Sequence, residues 1–302
     1  MPWRQLRLHC HGEQAEALEE GLLAAGAQSI TLSDAEDHPV LEPLPGEMPV
    51  WPEVVITALF DADTDTVAVI DTLRGLGLAW DGEEWELLQD REWERAWMDD
   101  FRPMRFGERL WICPSWCEPP EPGAINLSFD PGLAFGSGTH PTTALCLEWL
   151  DRHPPVGRNL IDYGCGSGIL AIAALRLGAR HATALDIDPQ AIEATRDNAR
   201  RNAIEADRLD CGLVDELAPQ PADLVMANIL AGPLVELAPR LVSLLRPGGT
   251  LVLSGILAEQ ADQVLDAYAA QGLVMQTPVQ RDDWVRLEGR RAGPSAPRHG
   301  AT

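Results

Sequence analysis

The segment LIDYGCGSGILAIAALRLGA, residues 160–179, decides the fold of the larger part of this chain. Its apolar start is typical of a buried strand, its glycines of a tight turn, and its second half of an amphipathic helix. Such a turn allows a ligand to approach the backbone closely. The glycines alone do not identify that ligand, and a plain strand–helix turn stays an alternative unless other site residues accompany them.

The spacing of these glycines argues against a diphosphate ligand. A dinucleotide site follows the pattern GxGxxG, which Gly164 and Gly166 begin and Ile169 breaks at the third position. A β-branched side chain there opposes the close helix–strand packing that the third glycine permits. No Lys-Ser or Lys-Thr pair follows, which excludes the phosphate loop of ATP-binding proteins. The loop therefore favours S-adenosylmethionine, a nucleoside joined to an amino acid without phosphates.

The next strand ends in an acidic residue suited to a ribose. Asp186, in the segment ATALDIDP, lies eighteen residues past Gly168, where a carboxylate can accept hydrogen bonds from both ribose hydroxyls. Nicotinamide-dependent enzymes also bind ribose through such a carboxylate, so Asp186 alone does not distinguish S-adenosylmethionine from a nicotinamide cofactor. Asp188 directly precedes Pro189 and is predicted to cap the following helix.

An asparagine follows a third apolar strand, in the segment ADLVMANILAGPL, residues 222–234. Asn228 is expected at the carboxyl end of that strand, which faces the ligand crevice in an open α/β sheet. Its amide supplies an acceptor and a donor without adding charge. The alternative is a cap for a helix beginning near Ala231. Asn228 lies early for that position, so a role in the site is predicted.

A further candidate segment, FDPGLAFGSGTHPTTALCLEWL, covers residues 129–150. Gly136 and Gly138 predict a hinge-like loop, and Pro141 suits the first turn of a helix that also carries Thr142 and Thr143. Amides and hydroxyls at a helix start can bind a carboxylate, such as the methionine end of S-adenosylmethionine. A helix cap needs only one of these residues, so the presence of the two glycines and both threonines together predicts a lid over the ligand.

Strands and helices alternate from Leu160 onward, which predicts an α/β domain with a doubly wound, Rossmann-like parallel sheet. Only the polar link VQRDD joins the last two strands, so the final strand is expected to be antiparallel. The seven strands are predicted at Leu160–Tyr163, Ala182–Asp186, Leu209–Gly212, Asp223–Ala227, Thr250–Ser254, Leu273–Pro278 and Trp284–Glu288.

Residues 1–90 show a strand–helix–strand pattern twice, which predicts a small α+β domain of ferredoxin-like type. No catalytic motif is visible there, so recognition or dimerisation is its expected role. We expect residues 91–125 to form a linker helix and strands, residues 126–289 the α/β domain, and residues 290–302 a disordered tail. The strands of the first domain are predicted at Trp3–Cys10, Gln28–Ser33, Val54–Asp61 and Glu84–Leu88.

The charge of the chain limits its partners. Twenty-three Lys and Arg against 47 Asp and Glu give a net charge of −24, which disfavours direct nucleic-acid binding because that depends on clustered cations. An acidic surface can instead attract a basic protein.

Six scattered cysteines without a CxxC pair predict no metal site and a reducing cytoplasm. The start lacks the apolar core of a secretory signal, and no apolar run matches a bilayer, so no membrane association is expected.

Four motifs together resemble one family. IDYGCGSG, LDIDP and NILAGPL, preceded by DPGLAFGSGTHPTT, closely resemble the bacterial methyltransferases of large-subunit ribosomal protein eleven, and the similarity extends over nearly the whole chain. The first two motifs are shared by class I methyltransferases in general, whereas FGSGTHPTT and NILAGPL are more specific to this family.

The resemblance implies an N-terminal substrate-recognition domain and a seven-stranded class I methyltransferase domain. Its implied reaction transfers methyl groups from S-adenosylmethionine to lysine side-chain amines and the N-terminal α-amine of the ribosomal protein. It further implies that Thr143, Gly164, Asp186 and Asn228 contact the cofactor and that Asn228 lies near the incoming amine. Gly166, in the same glycine loop, is predicted to bind the cofactor with them, and a monomer is expected.

The motifs contain no obvious general base, so we expect the chain to position an uncharged amine for in-line attack while water takes its proton. NILA has no aromatic residue after its asparagine, which disfavours methylation of a nucleobase. Two alternatives stay open at the level of sequence. One is a nicotinamide-dependent oxidoreductase, which Ile169 opposes, and the other is an assembly or sensing module that binds S-adenosylmethionine without turnover.

Overall fold

The computed structural model describes residues 3–35, 51–88, 102–130 and 140–293. The chain divides into two compact units, Met1–Asp100 and Phe101–Thr302. The expected linker, residues 91–125, lies on both sides of that division: residues 91–101 are outside the described ranges, and the remainder belongs to the second unit. Within the described ranges, no helix is long and apolar enough to cross a bilayer.

The first unit contains a four-stranded antiparallel sheet with the strand order β2-β3-β1-β4. Alternate residues of β1 and β3 are buried with the apolar residues of both helices, because neighbouring strand side chains point to opposite faces. This arrangement confirms the ferredoxin-like prediction. Its elements are β1 (Trp3–His11), α1 (Gly12–Ala24), β2 (Ser29–Asp34), β3 (Glu53–Asp61), α2 (Thr66–Gly75) and β4 (Asp81–Leu88).

The strand β4 begins three residues before its predicted start at Glu84. It is an edge strand, and residues 81–84 are all exposed. With no buried face in that stretch, the sequence shows no alternation of apolar and polar residues from which the start could be recognised.

The second unit carries the main sheet and a small one. The small sheet consists of β5 (Met104–Phe106), β6 (Leu110–Cys113) and β7 (Ile125–Ser128), in that order across the sheet. Asp151, in the helix α3 (Pro141–Arg152), accepts hydrogen bonds from the backbone N–H groups of Glu108 (2.7 Å) and Arg109 (3.3 Å) in the turn between β5 and β6. The helices of the unit are α3 (Pro141–Arg152), α4 (Ile169–Arg176), α5 (Pro189–Arg201), α6 (Ala231–Glu236), α7 (Ala238–Ser243) and α8 (Ala261–Ala270).

The main sheet has the order β10-β9-β8-β11-β12-β15-β13, and β14 pairs with β15 beside it. The first five of these strands are parallel, whereas β15 is antiparallel to β12 and to β13. The predicted α/β class I methyltransferase fold is therefore confirmed. Its strands are β8 (Asn159–Tyr163), β9 (His181–Asp186), β10 (Leu209–Leu213), β11 (Ala222–Asn228), β12 (Leu245–Leu257), β13 (Leu273–Met275), β14 (Val279–Arg281) and β15 (Trp284–Arg291).

At the end of the sheet, β12 is longer than the predicted Thr250–Ser254, and β13 ends at Met275 where the prediction continued to Pro278. Two further details differ from the prediction. The polar link expected between the last strands contains β14, which raises the number of strands to eight. Its three residues are exposed or half-buried, so pairing with β15 makes them a strand without any hydrophobic pattern. β15 continues to Arg291, two residues past the expected domain end. The Arg291 side chain donates to the carbonyls of Val242 and Leu245, which anchors this extension.

The parallel register decides where the site lies. Helices α3, α4 and α5 pack on one face of the sheet and α6, α7 and α8 on the other. Tyr163 at the end of β8 pairs with Leu185 of β9 and with Ala227 of β11. The residues that follow these strands therefore meet at one edge, the carboxyl edge, where open α/β sheets bind ligands.

Candidate active site

A cavity of about 750 Å³ lies at the carboxyl edge of the sheet. All five residues predicted to bind a cofactor line it: Thr143, Gly164, Gly166, Asp186 and Asn228. The fold thus brings together residues that are up to 85 positions apart in the chain. Its other lining residues are Tyr163, Cys165, Ile169, Leu170, Ile187, Val214, Asp215, Ile229, Leu230, Pro233, Glu236, Leu237 and Arg240.

The Asp186 carboxylate is held by three backbone N–H groups. Gly166 donates to Oδ2 (2.9 Å), and Ile187 (2.8 Å) and Asp188 (3.1 Å) donate to Oδ1. A carboxylate has about four acceptor positions, so one remains, on Oδ2, for a ligand hydroxyl. The backbone of Gly166 therefore orients Asp186. Asp188 caps α5 as predicted, through a hydrogen bond from Gln190 N–H (2.8 Å).

The Asn228 side chain contacts the start of α3. Its Nδ2 donates to Oγ1 of Thr143 (3.2 Å), a residue with no exposed surface. Its Oδ1 is buried and has no hydrogen-bond partner among the described residues. The alternative interpretation as a helix cap is wrong, because α6 begins at Ala231 with Leu230 at the cap position and no side-chain cap bond. An unused acceptor thus remains beside the cavity, and such a group costs free energy unless a ligand or water satisfies it.

The start of α3 is fixed by a residue that the sequence interpretation missed. His140 occupies the cap position: Thr142 N–H donates to Nδ1 (3.4 Å), and Oγ1 of Thr142 lies 2.8 Å from the same nitrogen. The His140 ring packs edge-on against Trp284, with 4.7 Å between centroids, and burial lowers the pKa of His140. The expected lid glycines, Gly136 and Gly138, lie outside the described residues.

Comparison with known proteins decides the family. A family model described as "Ribosomal protein L11 methyltransferase (PrmA)" matches residues 2–292. The chain belongs to this ribosomal protein L11 methyltransferase family. The curated relatives of that name from Chromohalobacter salexigens and Azotobacter vinelandii are 56% and 58% identical, over 96% of this chain and 99% and 100% of theirs. A crystal structure of ribosomal protein L11 methylase from Lactobacillus delbrueckii subsp. bulgaricus matches with a TM-score of 0.58 and 32% identity, covering 64% of this chain and 100% of that chain.

Membership of the L11 methyltransferase family confirms the predicted methyltransferase class and its cofactor, S-adenosylmethionine. The cavity fits that group. Its volume is in the range of about 300–1,000 Å³ that is usual for small-molecule sites. Asp186 offers an acceptor to a ribose hydroxyl, and Asn228 offers a buried acceptor at the other side of the glycine loop.

Several lining residues escaped the sequence interpretation although they directly follow the strands. Ile187, after β9, is 80% exposed, an unusual state for an isoleucine that lines a cavity. Val214 and Asp215 follow β10 in the same way. Arg240 of α7 donates to the carbonyl of Val214 (3.1 Å) and lies 5.9 Å from the centre of the Tyr163 ring. The positions immediately after each predicted strand were the available signal for the first three residues. Arg240 depends on tertiary packing.

A buried carboxylate, that of Asp162, lies in β8 two residues before Gly164. Asp162 in β8 is 1% exposed, and its Oδ2 accepts a hydrogen bond from Ala171 N–H (3.0 Å) in α4. Its Oδ1 has no partner among the described residues. Burial raises the pKa of Asp162 to about 7, an effect that the nearby Asp186 carboxylate reinforces. Asp162 is therefore partly protonated at neutral pH and tethers the start of α4.

The raised pKa of Asp162 predicts a pH effect on stability. The unfolded chain loses this proton near pH 4 and the folded protein near pH 7, so the contribution of Asp162 to stability falls as pH rises between these values. Asp162→Asn keeps the acceptor for Ala171 and removes the titration. Urea unfolding should show that the free energy of unfolding of the variant, relative to that of the wild type, increases from pH 5 to 7 by at most about 1.4 kcal/mol per pH unit. Parallel pH profiles would contradict the raised pKa.

The hydrogen bonds of Asp186 predict a binding effect. Asp186→Ala removes the ribose acceptor and should weaken S-adenosylhomocysteine binding in calorimetry by about 10- to 100-fold, since hydrogen bonds to charged groups contribute about 1.5–3 kcal/mol. Asp188→Ala is the matched control, because it removes a helix cap two residues away and does not line the cavity. Equal affinities for the two variants would remove Asp186 from the site.

Proposed function

We propose that this chain transfers methyl groups from S-adenosylmethionine to amines of ribosomal protein L11, both lysine side chains and the N-terminal α-amine. The curated relatives carry ribosomal protein L11 in their names. The observation that carries the proposal is the buried Oδ1 of Asn228, which has no hydrogen-bond partner in the part of the chain that the structure describes, because a neutral amine is a donor that this acceptor can bind.

The site residues have a positioning task in this reaction. When bound, S-adenosylmethionine supplies a methyl group that its sulfonium charge already activates. A lysine ammonium has no lone pair, so the residues must hold the amine in its neutral form. Asn228 Oδ1 accepts an amine N–H while Nδ2 stays bonded to Thr143, which restrains rotation of the amide. Holding the amine in line for attack supplies the main catalytic effect.

Water is the proposed proton acceptor. Among the described residues that line the cavity there is no histidine or lysine, and Asp186 is occupied by three N–H groups. Asp215 and Glu236 are exposed carboxylates that also line the cavity, and they add negative charge to it. Their expected effect is to attract a cationic substrate.

The first unit is proposed to recognise the substrate. Four of the 13 residues of α1 are glutamates and none is basic, and four of the eight residues of β4 are acidic. Together with the net charge of −24, this composition favours a basic protein over nucleic acid as partner. The proposal includes a cytoplasmic monomer without membrane association, in line with six unpaired cysteines.

One alternative remains as an outcome of experiment, because membership of the methyltransferase family already rejects the other. A nicotinamide-dependent oxidoreductase is opposed by Ile169, which is 3% exposed and begins α4 where a dinucleotide fold needs a glycine. A cofactor-binding module without turnover has the same cavity, and only transfer to a substrate separates it from the enzyme.

The decisive assay uses methyl-labelled S-adenosylmethionine and unmodified ribosomal protein L11, with mass spectrometry to locate the label. We expect label on lysine side chains and on the α-amine. Asn228→Ala should lower kcat by about 10²-fold, the usual effect of losing one preorganised polar contact. Asn159→Ala is the matched control at the amino end of β8, where the side-chain Oδ1 of Asn159 accepts a hydrogen bond from Arg180 Nε (3.1 Å). Cofactor binding without label on protein would support the module.

Removal of the first unit should separate recognition from catalysis. A chain that begins at Phe101 retains the whole cavity and both cores of the second unit. We expect its affinity for S-adenosylhomocysteine to stay within about threefold and its kcat/KM for the ribosomal protein to fall by about 10²-fold, as for lost electrostatic capture. Full activity of the shortened chain would place recognition in the second unit.

A further inference from the structure

The segment between Asn228 and α6 lies directly against a glycine of the neighbouring strand. Gly255, in β12, has φ = 86°, and a Cβ atom there would lie 2.2 Å from the carbonyl oxygen of Ile229 and 2.7 Å from its carbonyl carbon. These atoms belong to the backbone and cannot turn aside. The Ile229 peptide therefore occupies the space that any side chain at position 255 would need.

A second glycine contacts Ile229 from the opposite strand. Gly164, after β8, has φ = 77°, and a Cβ atom there would lie 2.3 Å from Cγ2 of Ile229. Because β11 lies between β8 and β12, these two glycines lie on the two sides of Ile229. Gly164 leaves room for the Ile229 side chain, and Gly255 leaves room for the Ile229 backbone.

The local geometry transmits the position of Ile229 to Asn228. Asn228 pairs with Ser254 in the β11–β12 register, and the register of β12 with β15 shifts between Leu253 and Ile256, around Gly255. Only Ile229 and Leu230 separate Asn228 from the start of α6. So short a segment cannot absorb a displacement of the Ile229 peptide, and the Asn228 amide must move with it.

We propose that Gly255 is a positioning residue for methyl transfer. The absence of a side chain at 255 sets the Ile229 peptide against β12, and this peptide directs the Asn228 amide toward the acceptor amine. Gly255 does not line the cavity itself and acts through Ile229. The inference rests on the proposed function for its kinetic consequence, whereas its structural part holds for any ligand of Asn228.

The chain offers a matched control for the backbone strain that an alanine introduces. Gly272, between α8 and β13, has φ = 82°, and a Cβ atom there would meet nothing within 4 Å. Gly255→Ala and Gly272→Ala thus carry similar strain from a positive φ. Only the first variant also collides with Ile229.

The test compares these variants by steady-state kinetics, S-adenosylhomocysteine calorimetry and hydrogen exchange of residues 226–232. We expect Gly255→Ala to lower kcat by about 10- to 100-fold, as for a misplacement near 1 Å, and to lower cofactor affinity by a smaller factor. Exchange should accelerate at 226–232 in this variant alone. Gly272→Ala should match the wild type in all three measurements.

A second pair of variants keeps the test informative if Gly255→Ala fails to fold. Asparagine tolerates positive φ better than alanine, so Gly255→Asn lessens the strain and keeps the collision, with Gly272→Asn as its control. Failure of both 255 variants to fold while the 272 variants fold would overturn a positioning role in favour of a structural one. A loss confined to cofactor affinity, or kcat and exchange equal to those of the control, would also overturn it. Absence of label transfer by the wild type would instead reject the proposed function. Hydrogen exchange at residues 226–232 would still test whether Gly255 fixes the position of Ile229.

Discussion

The parallel pairing of β8 with β9 and β11 is the constraint on which this molecule depends. It aligns three strand ends at one edge, so the glycine loop, Asp186 and Asn228 meet although each lies in a different part of the chain. Asn228 then reaches Thr143 of α3, which closes the arrangement across 85 residues. Without that register none of these polar groups would face the same cavity.

The groups at this edge are held by backbone contacts more than by side-chain pairs. Three N–H groups fix the Asp186 carboxylate, and one N–H holds buried Asp162. Such contacts come at fixed positions along the chain and do not require other ionised side chains nearby. Under the proposed function, the site keeps a carboxylate for a ribose and leaves one neutral acceptor, Asn228 Oδ1, for an amine. This division of roles suits a reaction that needs alignment more than acid–base catalysis.

Charge complements this geometry on a larger scale. In the proposed reaction, a net charge of −24 and the acidic α1 and β4 favour the approach of a basic protein, and a small neutral acceptor at the cavity binds its uncharged amine. The attraction acts over several ångströms, whereas the hydrogen bond acts at contact. The proposal therefore assigns the two effects to different parts of the chain.

The sequence by itself determined the fold class, the identity of the strands that carry the site and the residues at their ends. Periodicity and glycine spacing are local properties, and Gly164, Asp186 and Asn228 were all readable from short segments. It did not reveal β14, the extension of β15 to Arg291 or the early start of β4, because these depend on pairing with a neighbour and not on their own pattern. Only the tertiary structure decided that His140 caps α3, that Asp162 is buried with a raised pKa, and that Ile229 lies between Gly164 and Gly255. The cap is a local contact made by a histidine, which is not among the residues that usually cap helices, whereas the other two depend on packing between separate segments.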